Sequence, residues 1–236
     1  MQSATPGIKG ISSMATRQLL AELVSGFEKL SGYGATIEAV GGVDAAKRVL
    51  AGEAFDVVVL ASDAIDKLLA AGHLHAGSKV DLVRSGVAAC VRAGAPLPDI
   101  GSEEAVKRAV LAARSISYST GPSGVALARL FEHWGIADDM ADRMVQAPPG
   151  VPVGALVARG EVELGFQQLS ELIHVEGITL VGPLPPAIQI TTVFSAAIHA
   201  SVPAGSLPFK RVSAMLDYMR SPQAAAAKQR QGMDPA

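Results

Sequence analysis

Two hydroxyls, Ser12 and Ser13, stand in "GISSMATRQLL", where a strand-like run gives way to helical spacing. The first N–H groups of a helix have no partner inside it, so such a junction invites an anion. Serine is also a preferred N-cap, which needs no ligand to explain it. Three further junctions share the design of strand end, small or hydroxyl residue, helix start. They are Gly41-Gly42-Val43-Asp44, Ala61-Ser62-Asp63 and Thr120-Gly121-Pro122-Ser123-Gly124. Backbone N–H groups and hydroxyls at such turns can hold an oxyanion or carboxylate without a full opposing charge. Asp44 reads either as the N-cap of a second helix or as a ligand group, and Ser62 with Asp63 as caps of a third. Around Ser123 the glycines permit close backbone approach. Arg17 offers either a bidentate grip on a carboxylate or a solvated surface charge. Gln167 and Gln168 can both donate and accept. As strand neighbours they face opposite ways, so at most one of them lines a cleft directly.

Other chemistries find no support. The sole cysteine, Cys90, sits among apolar neighbours in "GVAACVRAG" and reads as an inert buried thiol. The five histidines do not cluster in the sequence, and His73 and His75 are expected in an exposed loop. Neither a metal site nor a cofactor is expected. There is no nucleophile elbow around Ser123 and no phosphate-binding loop. The formal net charge is -2 and aromatic residues make up 4%, so no nucleic-acid partner is expected. No segment is long enough to span a membrane.

The elements that must position these residues alternate between strand-like and helix-like along 236 residues, which predicts an α/β architecture. Leu19, Leu20, Leu23, Val24, Phe27 and Leu30 form one apolar stripe, ended near Gly32. "ATIEAV" reads as a strand, followed by a helix from about Asp44. "FDVVVLAS" has the continuous apolar run of a strand covered on both faces. "GVAACVRAG" and "VELGFQQ" are further strands, and "GSEEAVKRAVLAARS" is a helix with Ser102 as its cap. "VPVGALVARG" is a short helix, and two helices close the chain. Boundaries near Arg84 and Ile188 divide it into one lobe of residues 1–84 plus 189–236 and another of residues 85–188.

The order of "SSMATRQLLAELVSGFEK", "GGVDAAKRVLAGEAFDVVVLASDAIDKLLAAGHL", "TGPSGVALARLFEHWG" and "ALVARGEVELGFQQLSE" resembles the type II periplasmic solute-binding proteins, most closely their molybdate-binding branch. The resemblance covers nearly the whole chain. It implies two lobes of mixed sheet flanked by helices, with a ligand cleft between them. It also implies that Ser13, beside Ser12, binds a ligand oxygen. Gly42-Val43-Asp44 replaces a hydroxyl-bearing second turn, and Pro122-Ser123-Gly124 opens a helix of the other lobe. A further N–H comes from near Gly150 and Val151, and Gln168 stands where a tyrosine is usual. With two hydroxyl donors absent, molybdate and tungstate are expected to bind weakly, and a small anion carrying a carboxylate is favoured.

The function expected from this resemblance is capture of a small anion for an ABC-type importer, by a monomer. The alternative is an isomerase on a small di- or tricarboxylate, similar to aconitate isomerase, with Asp44 as its base. Such an enzyme needs a base within reach of a carbon acid. The protein is expected to be periplasmic if a leader precedes Gln2, and cytoplasmic if Met1 is the native start.

Overall fold

The computed structural model describes residues 7–148 and 150–236. Met1 and Gln2, on which the leader question turns, lie outside the described residues. The chain forms two compact units, one reaching to Arg84 and resuming at Val193–Ala236, the other Ser85–Thr192. The second crossing falls after Thr192 and not at Ile188. Ile188 is buried in the second unit's core. The Gln189 amide accepts from the Val87 N–H at 3.0 Å and donates to the Leu184 carbonyl at 3.2 Å, which holds this stretch in the same unit.

The first unit begins β1 (Ile8–Ser13), α1 (Arg17–Ser31), β2 (Ala35–Val40), α2 (Gly42–Leu50), β3 (Val57–Ala61) and α3 (Ser62–Ala70). β2 and β3 flank β1, both parallel to it. β4 (Val80–Arg92) then carries the chain into the second unit. That unit continues α4 (Glu103–Ala112), β5 (Ile116–Tyr118), α5 (Pro122–His133), α6 (Ala137–Met140), β6 (Met144–Gln146), α7 (Val153–Ala158), β7 (Leu164–Gln168), α8 (Leu169–Leu172) and β8 (Ile178–Pro183). β5 lies between β6 and β7, parallel to both, while β7 and β8 run antiparallel to β4. β9 (Thr191–Ile198) returns to the first unit and pairs antiparallel with β3. α9 (Leu207–Arg220), α10 (Ala225–Arg230) and β10 (Asp234–Pro235) follow, β10 pairing with β4 at Val83 and Arg84.

The valine-rich β3 is buried on both faces because it separates two cores. Val57 and Val59 join the core under α1 and α9, while Val58 and Leu60 join the one under α2 and α3. The same alternation divides β4, with Val87, Ala89 and Val91 on one side and Ala88 and Cys90 on the other. Cys90 is fully buried, and desolvation pushes its thiol up to about 12, so it is inert. On α1, Leu19, Leu20, Leu23 and Phe27 are buried, but Leu30 is 70% exposed. The helix turns its last apolar position to solvent before Gly32 ends it with φ 73°.

His73 and His75 are not in an exposed loop. Both are half-buried, and Leu74 between them bridges to His199. His75 contacts the Val202 carbonyl through Nε2 at 2.6 Å and meets the Phe209 ring edge-on. Burial, and after it the nearness of His73, holds the His199 imidazole below its ordinary range. Among the described residues no group of three or more His, Cys, Asp or Glu side chains is placed to hold a metal ion.

Candidate functional site

Each unit brings three parallel strands to a common edge and starts a helical segment there. In the first unit β1, β2 and β3 lead into a 3-10 turn with α1, into α2 and into α3. In the second, β5, β6 and β7 lead into α5, α7 and α8. In none of these six starts does the N-cap residue's own side chain make a cap hydrogen bond, although the Gln167 amide oxygen accepts from the first N–H of α7, at Val153. By contrast α4 and α9 are capped by Ser102 and Ser206. Uncapped first-turn N–H groups at the carboxyl ends of parallel strands are where ligands bind in open α/β sheets.

The two opening serines have different fates. Ser12 is fully buried, and its hydroxyl donates to the Glu38 carbonyl at 3.3 Å across the β1–β2 pair. The Ser13 hydroxyl is buried and has no partner, and it caps nothing. Its Cβ lies 3.5 Å from where a Cβ on Gly42 would stand, so the α2 start adjoins it. A buried hydroxyl left unpaired costs about 1–3 kcal/mol, a cost that a ligand oxygen would remove. Ser12→Ala should therefore cost about 1 kcal/mol. Ser13→Ala deletes that unpaired group and should leave the free protein at least as stable as wild type while weakening ligand-induced stabilisation. Equal destabilisation by both substitutions in urea melts, with the ligand shift intact, would remove Ser13 from the site.

Several residues take places other than those expected. Asp44 is not the N-cap of α2, because the helix begins earlier, with Gly41 as cap. Asp44 instead lies in the first turn with a half-exposed side chain. Its Oδ2 folds back to within 3.3 Å of a Cβ position on Gly41. Gly42 is half-buried and Val43 exposed at the same helix start. Ser62 and Asp63 do not cap α3 either, since the cap is Ala61, and Asp63 lies 3.8 Å from Lys67. Arg17 is the first residue of α1. It is exposed, with no ion pair among the described residues.

In the second unit, Ser123 is buried at the start of α5 with its hydroxyl 3.4 Å from that of Ser119. Pro122 precedes it as the first residue of the helix. Gly124 admits not a ligand but the chain itself. A Cβ there would lie 1.8 Å from the Ser119 carbonyl oxygen, and its N–H is bonded to Gly121. Gly150 has φ +79° in the turn before α7, and the Val151 N–H already donates to the Pro148 carbonyl. Gln167 belongs to the fold. It accepts from the Val153 N–H and donates to Glu171, each at 2.9 Å.

Gln168 faces the other way. Its amide donates to Thr192 Oγ1 at 2.7 Å, and the buried Oε1 has no partner. Turning the amide over keeps a bond to Thr192, whose hydroxyl can donate or accept, and presents N–H donors on the free side. Ser170, two residues on, has a second buried and unpartnered hydroxyl. Sequence reasoning missed Ser119, Ser170 and Thr192, although the hydroxyls of "YSTGPSG" were a usable signal for Ser119.

These uncapped starts, on two units of mixed sheet flanked by helices, define the class of a periplasmic-binding-type protein. The chain belongs to the bacterial extracellular solute-binding protein family, whose model matches residues 8–234. It is 38% identical over 230 residues to an aconitate isomerase from a Pseudomonas species, spanning 95% of this chain and 86% of that one. Its fold matches the periplasmic molybdate-binding protein of Azotobacter vinelandii with a TM-score of 0.78 at 21% identity, over 97% and 99% of the two chains. A tungstate ABC transporter structure from Geobacter sulfurreducens matches with a TM-score of 0.76 at 16% identity, over 97% and 100%. No helix among the described residues is long and apolar enough to cross a membrane.

Proposed function

We propose that this chain binds a small di- or tricarboxylate and isomerises it by moving a proton next to a carboxylate, with aconitate as the substrate. One observation carries the reading. The aconitate isomerase relative is 38% identical over 230 residues, 95% of this chain and 86% of that one. The site chemistry agrees with a polycarboxylate. In the first unit the uncapped starts of α2 and α3 supply N–H donors, Ser13 an unpartnered hydroxyl and Arg17 an exposed guanidinium near the first turn. In the second unit, taken by itself, the start of α5 supplies N–H donors and Gln168 an unpartnered amide oxygen. Asp44 is our candidate base. It takes a proton from the methylene next to a carboxylate, and the proton returns at the far end of the double bond. The double bond moves one position and no atom is gained or lost.

The family match favours a second reading, in which the bound solute passes unchanged to the membrane subunits of an ABC importer from a monomeric periplasmic carrier. In either reading molybdate and tungstate bind weakly, because the second turn has no hydroxyl and Gln168 replaces tyrosine. Proton NMR of the protein incubated with trans-aconitate separates the two. Conversion to the cis isomer supports the enzyme. Stabilisation of about 2.7 kcal/mol at a hundred times the dissociation constant, without conversion, supports the carrier. Neither effect with aconitate, together with tight molybdate binding, would overturn both.

A further inference from the structure

The Gln168 amide has two ends and one partner. The residue ends β7 and is buried, with 3% of its surface exposed. Its Nε2 donates to Thr192 Oγ1 at 2.7 Å, while the buried Oε1 meets nothing among the described residues. Two orientations of the amide keep the bond to Thr192. In the one observed, Thr192 accepts and the amide oxygen is left over. With the amide turned over, the Thr192 hydroxyl would donate to Oε1 and the N–H donors would be left over. A buried carbonyl short of a partner is tolerated more often than an orphaned N–H. The first orientation therefore suits the protein without a ligand.

An anionic ligand reverses that preference. A carboxylate set against Oε1 would bring two acceptors together, whereas against Nε2 it receives a charge-assisted hydrogen bond. The amide can turn only if its protein partner changes role, from accepting to donating. A carbonyl or a carboxylate at that place could only accept and would lock Oε1 on the free side. A hydroxyl carries one O–H and two lone pairs, so it serves both orientations. Threonine suits this better than a looser hydroxyl. Its branched Cβ restricts χ1, which fixes the oxygen while leaving the proton free to rotate. Thr192 stands near the start of β9, half-buried, and strand packing brings it to a residue 24 positions earlier in the same unit.

We infer that Thr192 is a positioning residue for the ligand. By changing its hydroxyl from acceptor to donor, it lets the Gln168 amide turn over and give an N–H to an anionic oxygen. The inference rests on the reading of Gln168 as a ligand contact in the proposed aconitate site, and it adds a residue that touches only the amide.

Calorimetry of the full chain with trans-aconitate, and separately with molybdate, tests it. Thr192→Val keeps the shape, removes the hydroxyl and should weaken aconitate binding about tenfold or more. Thr192→Ser keeps the hydroxyl and should stay within about threefold of wild type. Gln168→Met should weaken aconitate about as much as Thr192→Val. Adding Thr192→Val to Gln168→Met should then cost less than about twofold more, because Thr192 acts only through the amide. Unchanged affinity in Thr192→Val overturns the inference and leaves the aconitate reading standing. So do equal losses from Thr192→Val in the two backgrounds, or a loss in Thr192→Ser as large as in Thr192→Val. A wild type that binds molybdate but not aconitate removes the aconitate reading, and the same pattern of variants read with molybdate would uphold Thr192. Binding of neither anion overturns both.

Discussion

Asp44→Asn is expected to lower aconitate turnover about a hundredfold or more, the usual share of general-base catalysis. The amide cannot accept a proton from carbon. The fold should hardly register the change. Asp44 is half-exposed, lies 4.0 Å from Lys47, and caps nothing, so the loss is the favourable placing of its charge at a helix start, about 0.3–1 kcal/mol. Activity by NMR and stability by urea melts should therefore separate cleanly. Unchanged turnover in Asp44→Asn would keep the isomerase and discard this base. Absent turnover in the wild type, with aconitate still bound and bound equally well by Asp44→Asn, would leave the carrier reading.

Gly124→Ala should give the largest loss of stability among single changes near the site. The new Cβ would stand 1.8 Å from the Ser119 carbonyl oxygen and 3.1 Å from the Tyr118 ring. The first contact is with backbone, which no rotamer change relieves. Overpacking costs typically 1–3 kcal/mol, and here about 3 kcal/mol or more. In a chain of this size that lowers Tm by roughly 6–12 °C. The displaced loop carries Ser119 and the start of α5, so ligand-induced stabilisation should weaken as well. Gly121→Ala is the control. Its Cβ meets only Ser119 Oγ, at an ordinary 3.7 Å, and its φ of −77° suits any residue. Comparable losses in both variants would show that the Ser119 carbonyl is not the obstacle.

The sequence by itself determined the elements whose signal is periodic and long. The α1 stripe, the doubly buried valine run of β3 and the serine cap of α4 were all legible, because each is a local pattern that packing only had to accept. β6 and β10, of three and two residues, were not, because so few residues carry no period and exist through their partners β5 and β4. The alternation rule told that Gln167 and Gln168 face opposite ways, but not which one serves the fold. Tertiary structure decided that, by setting the Val153 N–H and Glu171 against Gln167 and leaving the Gln168 oxygen unmet. It likewise separated Ser12 from Ser13, which two adjacent hydroxyls in "GISSM" could not do. Ser12 finds the Glu38 carbonyl of a strand 26 residues away, and Ser13 finds nothing. A hydrogen bond needs a partner within reach in space, and strand pairing between distant residues is what brings one there or withholds it.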